Sequence, residues 1–421
     1  MEIELGVKLL CLSNGHGEDA IAVQILRRLQ QHHQAPKLAA LPLVGEGRAY
    51  TDLDGVPIVG PVKKMPSGGF VYMDGRQLWR DVRGGLLGLT LAQRRVVRTW
   101  GREGGAILAV GDIVPLLLAW MSGANYAFVG TAKSEYYLRD EIGLLPRRTW
   151  FEKLESWSGS VYLPWERWLM TRKRCRAVFP RDGLTTRYLQ KFNVPAYDLG
   201  NPMMDGLDAE TVTNAEETHR VLTIALMPGS RSPEAERNWE QIVKTAAIVR
   251  DDRPSRAIAF LGTIAPGLDL DPFCRVLETY GWQPSESRSP VSVSDPEARR
   301  FTLGKATVVL TQRAFAECLY RADLAIAMAG TATEQFVGLG KPAIALPGTG
   351  PQYTPAFAEA QSRLLGSSLV LLDRPEKVTD VVEQLLGDPD WLQAIAENGR
   401  RRMGDAGASD RIADYIMQLL S

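Results

Sequence analysis

The sequence predicts an α/β protein with two doubly wound domains, each a parallel sheet covered by helices on both faces. Short apolar runs recur along the chain, and each is followed by a glycine-containing turn and a helical pattern. A polar segment with glycine and proline at residues 198–219 separates two groups of such units, as a linker would. The length of 421 residues also favours two sizeable domains.

The apolar runs give the strands in chain order. The predicted strands are 7–12, 106–110, 126–129, 177–179, 222–226, 258–261, 307–310, 324–327 and 343–346. Apolar residues at helical spacing between Asp410 and Leu420 predict a closing helix. The predicted domains are residues 1–199, residues 200–405 and, as a closing helix that packs back toward the first domain, residues 406–421. Residues 269–300 are rich in proline, serine and charge and are predicted to form a surface loop.

Composition narrows the class of protein. Hydrophobic residues make up 45% of the chain and charged residues 23%, which excludes a disordered, collagen-like or coiled-coil protein. The four cysteines lie far apart, so no zinc site or disulfide framework is predicted and a reducing cytoplasm fits best. The acidic N-terminus does not resemble a signal peptide. Polar and proline interruptions in the apolar stretch 106–121 predict that it does not cross a membrane.

Charge is distributed unevenly along the chain. Residues 1–200 hold 27 Lys and Arg against 19 Asp and Glu, and residues 201–421 hold 22 against 30. This asymmetry predicts that the first half faces an anionic partner, such as a membrane surface, a phosphorylated lipid or a nucleic acid. No recognisable nucleic-acid module accompanies it, so a nucleic-acid partner is not expected.

The loop after the first predicted strand is a candidate site. Ligands of open α/β sheets bind at the carboxyl ends of the strands, so a cleft between the two domains is the expected place for chemistry. Here the chain reads Asn14, Gly15, His16 and Gly17 before a predicted helix. The glycines allow backbone to approach a ligand closely, and His16 is a candidate general base or ligand contact. The alternative is a simple turn followed by a helix-capping acid.

Two loops of the second half have residues suited to a nucleoside diphosphate. Ser230 and Arg231 follow the strand 222–226, where a hydroxyl, helix-start amides and a fixed positive charge can meet phosphate oxygens. The alternative is a helix cap with a solvent-facing arginine. After the strand 324–327, Glu334 stands in the first turn of a predicted helix and suits the hydroxyls of a ribose, unless it is an ordinary first-turn acid. The residues that open this helix and present amides to a diphosphate are Gly330, Thr331, Ala332 and Thr333.

These motifs resemble a known family. The segments 228–231 (Pro-Gly-Ser-Arg), 330–334 (Gly-Thr-Ala-Thr-Glu) and 340–342 (Gly-Lys-Pro), in this order, resemble the lipid-A-disaccharide synthase family of GT-B glycosyltransferases. Residues 200–205 resemble that family's Gly-His-Pro segment. Residues 351–353 and 356–366 resemble the donor-sugar loop of the related transferase that adds N-acetylglucosamine to the lipid-linked peptidoglycan precursor.

The resemblance implies two Rossmann-like domains that face an interdomain cleft. It implies a UDP-sugar held mainly by the second domain and a lipid or glycolipid acceptor held by the first. Ser230 and Arg231 would then meet the diphosphate, residues 330–333 would form the phosphate-facing helix start, Glu334 would bind the ribose, and Gln352 would approach the donor sugar.

The first half departs from the family pattern. The loop with His16 is closer to the Gly-Gly-His loop of peptidoglycan and galactolipid transferases, which leaves the acceptor open. Asp112, after the strand 106–110, resembles in position an essential aspartate of the lipid A enzyme and is a second candidate base. Pro355 replaces an asparagine usual in the peptidoglycan enzyme, so that contact to the sugar is not expected.

No metal or other cofactor is expected, because the helix start and Arg231 already stabilise a departing diphosphate. Some sugar transferases hold a cation with an Asp-x-Asp pair. The three such pairs here are Asp52/Asp54, Asp269/Asp271 and Asp388/Asp390. Each abuts glycine or proline and none ends an apolar strand, so all three are predicted to be surface turns.

A tryptophan-rich and basic stretch predicts contact with a membrane surface. The stretch contains Trp150, Trp157, Trp165 and Trp168, followed by Arg172, Lys173, Arg174 and Arg176. Indole rings beside cations suit a helix at the level of the lipid headgroups, which predicts a peripheral protein on the inner face of the membrane. The alternative is an interdomain core beside a solvated basic helix.

Together these observations predict an inverting glycosyltransferase. An acceptor hydroxyl, deprotonated by His16 or Asp112, would attack the anomeric carbon of a UDP-sugar. Two alternatives remain open. One is a non-hydrolysing UDP-sugar 2-epimerase-like isomerase, and the other is a membrane-associated protein that binds a UDP-sugar without turnover.

Overall fold

The computed structural model describes residues 7–51, 53–63, 86–146, 153, 156–207, 221–286 and 290–420. The chain divides into two compact units, Met1–Asp205 with Gly404–Ser421, and Gly206–Met403. The divisions fall at 205/206 and 403/404, whereas the predicted domain boundaries are 199/200 and 405/406.

The first unit is built on a sheet of five parallel strands in the order β2-β1-β3-β4-β5. Its strands are β1 (Lys8–Ser13), β2 (Lys37–Pro42), β3 (Ala106–Gly111), β4 (Tyr126–Gly130) and β5 (Cys175–Pro180). Its helices are α1 (His16–Gln31), α2 (Leu86–Arg102), α3 (Ile113–Ser122), α4 (Pro164–Met170), α5 (Gly183–Gln190) and, from the end of the chain, α13 (Ala408–Leu420). The sequence of β1 is continuously apolar because both faces of the strand are buried. Leu9 and Cys11 enter one core, and Leu10 and Leu12 enter the other.

The second unit contains an eight-stranded sheet in the order β13-β12-β11-β6-β7-β10-β9-β8. Its strands are β6 (Leu222–Met227), β7 (Ile258–Thr263), β8 (Gln283–Pro284), β9 (Arg299–Leu303), β10 (Ala306–Thr311), β11 (Leu324–Ala327), β12 (Ala343–Ala345) and β13 (Leu369–Leu371). Its helices are α6 (Glu234–Asp252), α7 (Asp271–Thr279), α8 (Phe315–Arg321), α9 (Thr331–Gly338), α10 (Pro355–Leu365), α11 (Val378–Gly387) and α12 (Pro389–Met403). Among the described strands, β9 pairs antiparallel with both β10 and β8, at one edge of this sheet. The predicted α/β class with two Rossmann-like parallel sheets is confirmed.

The strand orders place one switch point in each sheet. In the first unit β1 lies between β2 and β3, so the chain leaves β1 toward one side and returns on the other. In the second unit β6 lies between β7 and β11 in the same way. Loops diverge at such a point and open a crevice at the carboxyl ends of the two strands, which is where open α/β sheets bind ligands.

One sequence prediction for the second unit is wrong in part. Residues 269–300, predicted to be a surface loop, contain α7 and β8 and the first residues of β9. Helix α7 buries Phe273, Cys274 and Leu277 against the core, and this spacing places one apolar face on the sheet. Asp271 and Pro272 at the start of α7 have the composition of a turn, but both are also favourable in the first turn of a helix.

The closing helix α13 packs against α1 within the first unit, and Asp205 caps its N-terminus. The Asp205 carboxylate accepts hydrogen bonds from the backbone N–H groups of Gly407 (2.6 Å), Ala408 (3.2 Å) and Ser409 (2.6 Å). One side chain therefore satisfies three of the amides that a helix start leaves unpaired.

Replacing Asp205 by Ala is expected to lower the free energy of unfolding by about 2 kcal/mol, because three amides lose a charged acceptor. Urea unfolding followed by circular dichroism measures this change. The control is Asp410→Ala, which removes a half-exposed surface ion pair with Arg28 (3.1 Å) and should cost less than about 1 kcal/mol. Equal effects of the two substitutions would contradict the capping role.

Among the described residues, no helix combines the length and the apolar character needed to span a bilayer.

Candidate functional site

The first-unit site begins with the turn that links β1 to α1. Gly15 has φ of 122°, a backbone conformation that glycine adopts far more readily than other residues, and it lets α1 start directly after the strand. Gly17 faces open space, since a Cβ there would have no neighbour within 4 Å. His16 is the first residue of α1, and its side chain lies outside the described part of the structure.

Asn14 and Asp112 meet across the β1/β3 switch point. Asn14 is almost fully buried, and its Nδ2 donates a hydrogen bond to Asp112 Oδ2 at 2.9 Å. Asp112 is the N-cap of α3, and its Oδ1 accepts a hydrogen bond from the backbone N–H of Val114 at 2.8 Å. Both carboxylate oxygens are thus held by N–H donors, and the carboxylate has a defined orientation at the edge of the sheet.

Burial raises the pKa of the Asp112 carboxyl above its usual value, because a charged carboxylate loses hydration there. The nearby negative charge of Glu166 also raises this pKa, whereas the hydrogen bonds from Val114 and Asn14 and the charge of Lys133 lower it. A carboxylate with a raised pKa is a stronger base than an exposed aspartate, so Asp112 is suited to accept a proton.

Lys133 and Glu166 belong to this site, and the sequence reading did not identify them. Lys133 follows β4, and its Nζ donates hydrogen bonds to Glu166 Oε2 (2.6 Å) and to the carbonyl of Val161 (3.0 Å). Glu166, on α4, is buried and also accepts the N–H of Leu163. A signal for Lys133 was present, because a charged residue shortly after a buried parallel strand lies at the carboxyl edge of the sheet.

The second-unit site lies at the carboxyl ends of β6 and β11. Gly229 has φ of 99°, and a Cβ there would come within 3.3 Å of the Met328 carbonyl oxygen, so the two loops approach closely. Buried Asn238 ties them together, because its Nδ2 donates to the carbonyls of Pro228 (3.0 Å) and Met328 (3.4 Å). Ser230 is exposed at the tip of the first loop and Arg231 is half-buried beside it.

Helix α9 begins at the second of these loops, with Gly330 as its N-cap. The Gly330 carbonyl accepts the first intrahelical bond, from Glu334 N–H at 3.2 Å, so the amides of Thr331, Ala332 and Thr333 have no acceptor within the helix. The Thr333 hydroxyl donates to the Ala329 carbonyl at 2.6 Å and is therefore used in the fold. The helix start thus offers backbone amides, with exposed Thr331 at its tip.

Glu234 fixes the third loop, which contains Gln352. Its Oε1 accepts hydrogen bonds from the backbone N–H groups of Tyr353 (2.6 Å) and Gln352 (3.2 Å). At Gly350 a Cβ would lie 2.1 Å from the same oxygen, so a side chain there would displace the Glu234 carboxylate. The loop is therefore bound to the first turn of α6, directly after Ser230 and Arg231.

Gln361 on α10 completes these connections. Its Nε2 donates to the carbonyls of Ala329 (3.0 Å) and Gly330 (3.1 Å), and its Oε1 lies 3.2 Å from the Tyr353 hydroxyl. The structure thus brings together the loops that carry Ser230 and Arg231, residues 330–334, and Gln352. Glu234, Asn238 and Gln361 were not among the predicted site residues, since a buried polar residue within a helix gives no local signal.

Lys341, in the Gly-Lys-Pro segment, has a structural role. Its Nζ donates to the carbonyls of Leu319 (2.9 Å), Ala322 (2.7 Å) and Tyr320, at the carboxyl end of α8. These carbonyls have no partner within their own helix, so Lys341 caps α8.

We expect Lys341→Met to lower the free energy of unfolding by about 2 kcal/mol, because it keeps the apolar stem and removes all three donors. The Kd for UDP should stay unchanged, and calorimetry measures it beside the unfolding curve. Lys305→Met is the control, since this exposed lysine makes one hydrogen bond, to the Ser255 carbonyl at 3.1 Å, and should change stability by less than about 0.5 kcal/mol. A loss of UDP affinity in the Lys341 variant would show that the residue binds the ligand instead.

In two of the Asp-x-Asp pairs, the first aspartate accepts a backbone hydrogen bond from a residue two or three positions further along the chain. Asp269 accepts the backbone N–H of Asp271 at 3.0 Å, and Asp388 accepts that of Trp391 at 2.9 Å. Asp52 lies outside the described residues. Within the described ranges no group of three or more His, Cys, Asp or Glu side chains could hold a metal ion.

Comparison with curated proteins gives two lipid-A-disaccharide synthases. The enzyme of Syntrophus aciditrophicus is 25% identical over an alignment of 301 residues, with 62% of this chain and 68% of that protein covered. The enzyme of Myxococcus xanthus is 26% identical over 270 residues, with 60% of this chain and 63% of that protein covered. The chain is a divergent relative of the lipid-A-disaccharide synthases. The alignments span about two thirds of the relatives' own length, and no protein-family model matches the chain.

Solved structures show the same fold over nearly the whole chain. A UDP-GlcNAc 2-epimerase from Neisseria meningitidis bound to UDP-GlcNAc aligns with a TM-score of 0.56 at 12% identity, covering 98% of this chain and 100% of that one. MurG from Acinetobacter baumannii aligns with a TM-score of 0.54 at 12% identity, covering 98% of this chain and 99% of that one. These neighbours are GT-B enzymes of UDP-sugars, and at this identity the likeness shows the fold alone.

Proposed function

We propose that this chain is an inverting glycosyltransferase that moves a sugar from a UDP-sugar to a lipid-linked acceptor. One observation carries the proposal. At the β6/β11 switch point three loops suited to a nucleotide sugar converge, and buried Glu234, Asn238 and Gln361 hold them in place. The names of the curated relatives support a glycosyltransferase, and the nucleotide-bound epimerase supports a UDP-sugar as donor.

The second unit supplies the donor contacts in this proposal. The amides of Thr331, Ala332 and Thr333 receive the diphosphate at the positive end of α9, together with the Ser230 hydroxyl and the Arg231 guanidinium. These groups also stabilise the charge that develops as the diphosphate departs. Nearby, Glu334 binds the ribose hydroxyls and Gln352 approaches the sugar.

The first unit supplies the acceptor contacts and the base. Asp112, or His16 in its place, takes the proton of the acceptor hydroxyl. The hydroxyl oxygen forms a bond to the anomeric carbon as the bond from that carbon to the diphosphate oxygen breaks. UDP leaves with the electron pair, and the configuration at the anomeric carbon inverts. Asn14, Gly15 and Gly17 line the acceptor side of this proposal.

Product analysis tests the reaction class. The purified chain is incubated with candidate UDP-sugars, with and without a lipid extract that contains acceptors, and UDP, lipid products and sugar epimers are measured. UDP release together with a new glycolipid, both dependent on the extract, supports the transferase. Epimer formation without acceptor would identify an isomerase, and binding of UDP-sugars without any product would identify a non-catalytic binding protein. Either result would overturn the proposal.

We further propose that the first unit contacts an anionic membrane through a tryptophan-rich and basic surface. Trp157, Trp165 and Trp168 are 81%, 53% and 45% exposed. Arg172 lies over the Trp168 ring at 4.4 Å, and the Trp168 ring packs edge-on against Trp120 of α3 at 5.3 Å. Trp150 of the predicted stretch lies outside the described residues.

A pocket of about 460 Å³ opens on this surface between α3 and the turn after α4. It is lined by Trp120, Thr171, Arg172, Lys173 and Arg174. Trp120 and Leu117, both on α3, were not part of the predicted tryptophan-rich and basic stretch, because α3 is a separate part of the chain. Cations around an indole-lined pocket suit phosphate headgroups at the membrane interface.

The double substitution Lys173→Glu with Arg174→Glu is expected to weaken binding to anionic vesicles at least tenfold, because each surface cation contributes about 1 kcal/mol. Cosedimentation with vesicles that contain phosphatidylglycerol measures the loss. Pure phosphatidylcholine vesicles give the background. The matched control is Arg256→Glu with Lys305→Glu, two exposed cations of the second unit. Equal losses in the two double variants would show that net charge, and not this surface, drives binding.

A further inference from the structure

Asn14 has one polar atom that is satisfied and one that is not. Its side chain is only 5% exposed, and its Nδ2 donates to Asp112. Its Oδ1 is buried and has no hydrogen-bond partner among the described residues. Buried polar atoms in folded proteins nearly always have a partner, so an amide oxygen left free beside a candidate base points to a group that arrives with a ligand.

We propose that Asn14 is a positioning residue for Asp112, and that its free Oδ1 accepts a hydrogen bond from a hydroxyl of the bound acceptor. The inference rests on the proposed function. In the proposed function Asn14 lines the acceptor site. Here we assign it a second role, which is to hold the carboxylate of Asp112 in place. The acceptor class that fits is a sugar or other polyol, because one hydroxyl gives its proton to the carboxylate while a neighbouring hydroxyl donates to the amide oxygen.

The geometry of the switch point supports this role. Ser13 of β1 pairs with Val110 of β3, so the residues after the two strands leave the sheet side by side. The amide of Asn14 holds Asp112 Oδ2, while Val114 N–H holds Oδ1 from the carboxylate's own helix. Without Asn14, Asp112 Oδ1 keeps its hydrogen bond from Val114 N–H, but Asp112 Oδ2 loses the donor that fixes the plane of the carboxylate.

Charged groups face Asp112 from three other elements. Glu18 on α1 lies near the turn, with its Cγ 3.2 Å from the Cβ that Gly111 would carry. Lys133 after β4 and Glu166 on α4 act on the carboxyl in opposite directions. The amide of Asn14 is neutral, and its N–H favours the charged carboxylate. A carboxylate at position 14 would instead place two like charges in contact.

The decisive pair of variants is Asn14→Asp and Asn14→Ala. In Asn14→Asp two carboxylates share one proton, so the acid limb of the kcat/KM profile should move up by about one pH unit or more, which is about a tenfold loss at pH values below the limb. In Asn14→Ala the limb should move in the same direction by less. Gln93→Ala is the matched control, because this buried amide of the same unit donates to the Leu43 and Pro61 carbonyls rather than to Asp112, and should leave the limb in place. An unchanged limb in both folded Asn14 variants overturns the proposal.

A double-mutant cycle separates positioning from a structural role. If Asn14 acts through Asp112, Asn14→Asp should cost less than about threefold in kcat once Asp112→Asn is present, and additive losses would overturn the proposal.

Carbon NMR of the Asp112 carboxyl distinguishes failure of this inference from failure of the proposed function, because it needs no turnover. A chain without acceptor-dependent UDP release would refute the transferase. Even then, a titration of Asp112 that moves upward in Asn14→Asp supports the positioning role, and one that does not move overturns it.

Discussion

Asp112→Asn is expected to lower kcat about a thousandfold and to leave the Kd for UDP unchanged. The substitution keeps the shape of the side chain and removes the oxygen that accepts the acceptor's proton, and general-base catalysis typically contributes a factor of this order. In the proposed function the UDP contacts belong to the second unit, so nucleotide binding should not depend on this carboxylate. The measurements are steady-state turnover with the acceptor and calorimetry with UDP.

The pH dependence gives the same prediction a second readout. Burial raises the pKa of the Asp112 carboxyl, and only the deprotonated form accepts a proton. The value of kcat/KM should therefore rise with pH through a limb that lies above the usual aspartate range. That limb should be absent from the residual activity of Asp112→Asn.

His16→Ala is the parallel experiment, since His16 is the other candidate base. A limb that persists in Asp112→Asn and disappears in His16→Ala would transfer the role to His16. The half-exposed Asp410→Asn serves as the surface control and should turn over normally. If both His16→Ala and Asp112→Asn fold and keep near-normal turnover, neither residue is the base.

The strands that the sequence predicted and those that it missed differ in composition. Strand β11 occupies the predicted residues 324–327, because its run of buried apolar residues is bounded by Asp323 and Met328 with Gly330 following. Strand β2 was missed, since its sequence KLAALP contains alanines and ends in proline. Strand β9 begins with two arginines and gains its place by pairing with β10 and β8 near the sheet edge. The prediction also missed β8 and β13, and tertiary pairing decided β2 and β9.

The candidate sites show a similar division. Local sequence marked the loops with Ser230 and Gly330, because glycines and small residues after an apolar strand reveal a strand-to-helix turn. The contacts that hold these loops were not predictable, because Gln361 reaches the Ala329 carbonyl from 32 positions further along the chain. In the first unit, Asn14 and Asp112 are separated by 98 positions, and only the strand order brings them together.

Glu234→Ala is expected to raise the KM for the UDP-sugar at least tenfold, with a much smaller effect on kcat. The buried carboxylate binds two backbone amides of the loop with Gln352, and its loss leaves those amides without an acceptor. Hydrogen bonds to charged groups are the stronger ones, so the free energy of unfolding should also fall by about 2 to 3 kcal/mol. Steady-state kinetics with varied donor and thermal unfolding measure the two effects.

Three further variants make this prediction specific to the Glu234 carboxylate. Glu234→Gln keeps an acceptor oxygen in the same place and should restore most of the donor affinity. Gly350→Ala places a Cβ 2.1 Å from Glu234 Oε1 and should reproduce the raised KM without removing the acid. Glu240→Ala, on the exposed side of the same helix, breaks a surface ion pair with Lys244 (2.7 Å) and a long hydrogen bond from the Tyr280 hydroxyl (3.4 Å), and should match the unmodified chain. A normal donor KM in folded Glu234→Ala would show that the loop with Gln352 is positioned by other contacts, and the donor site would then have to be assigned without it.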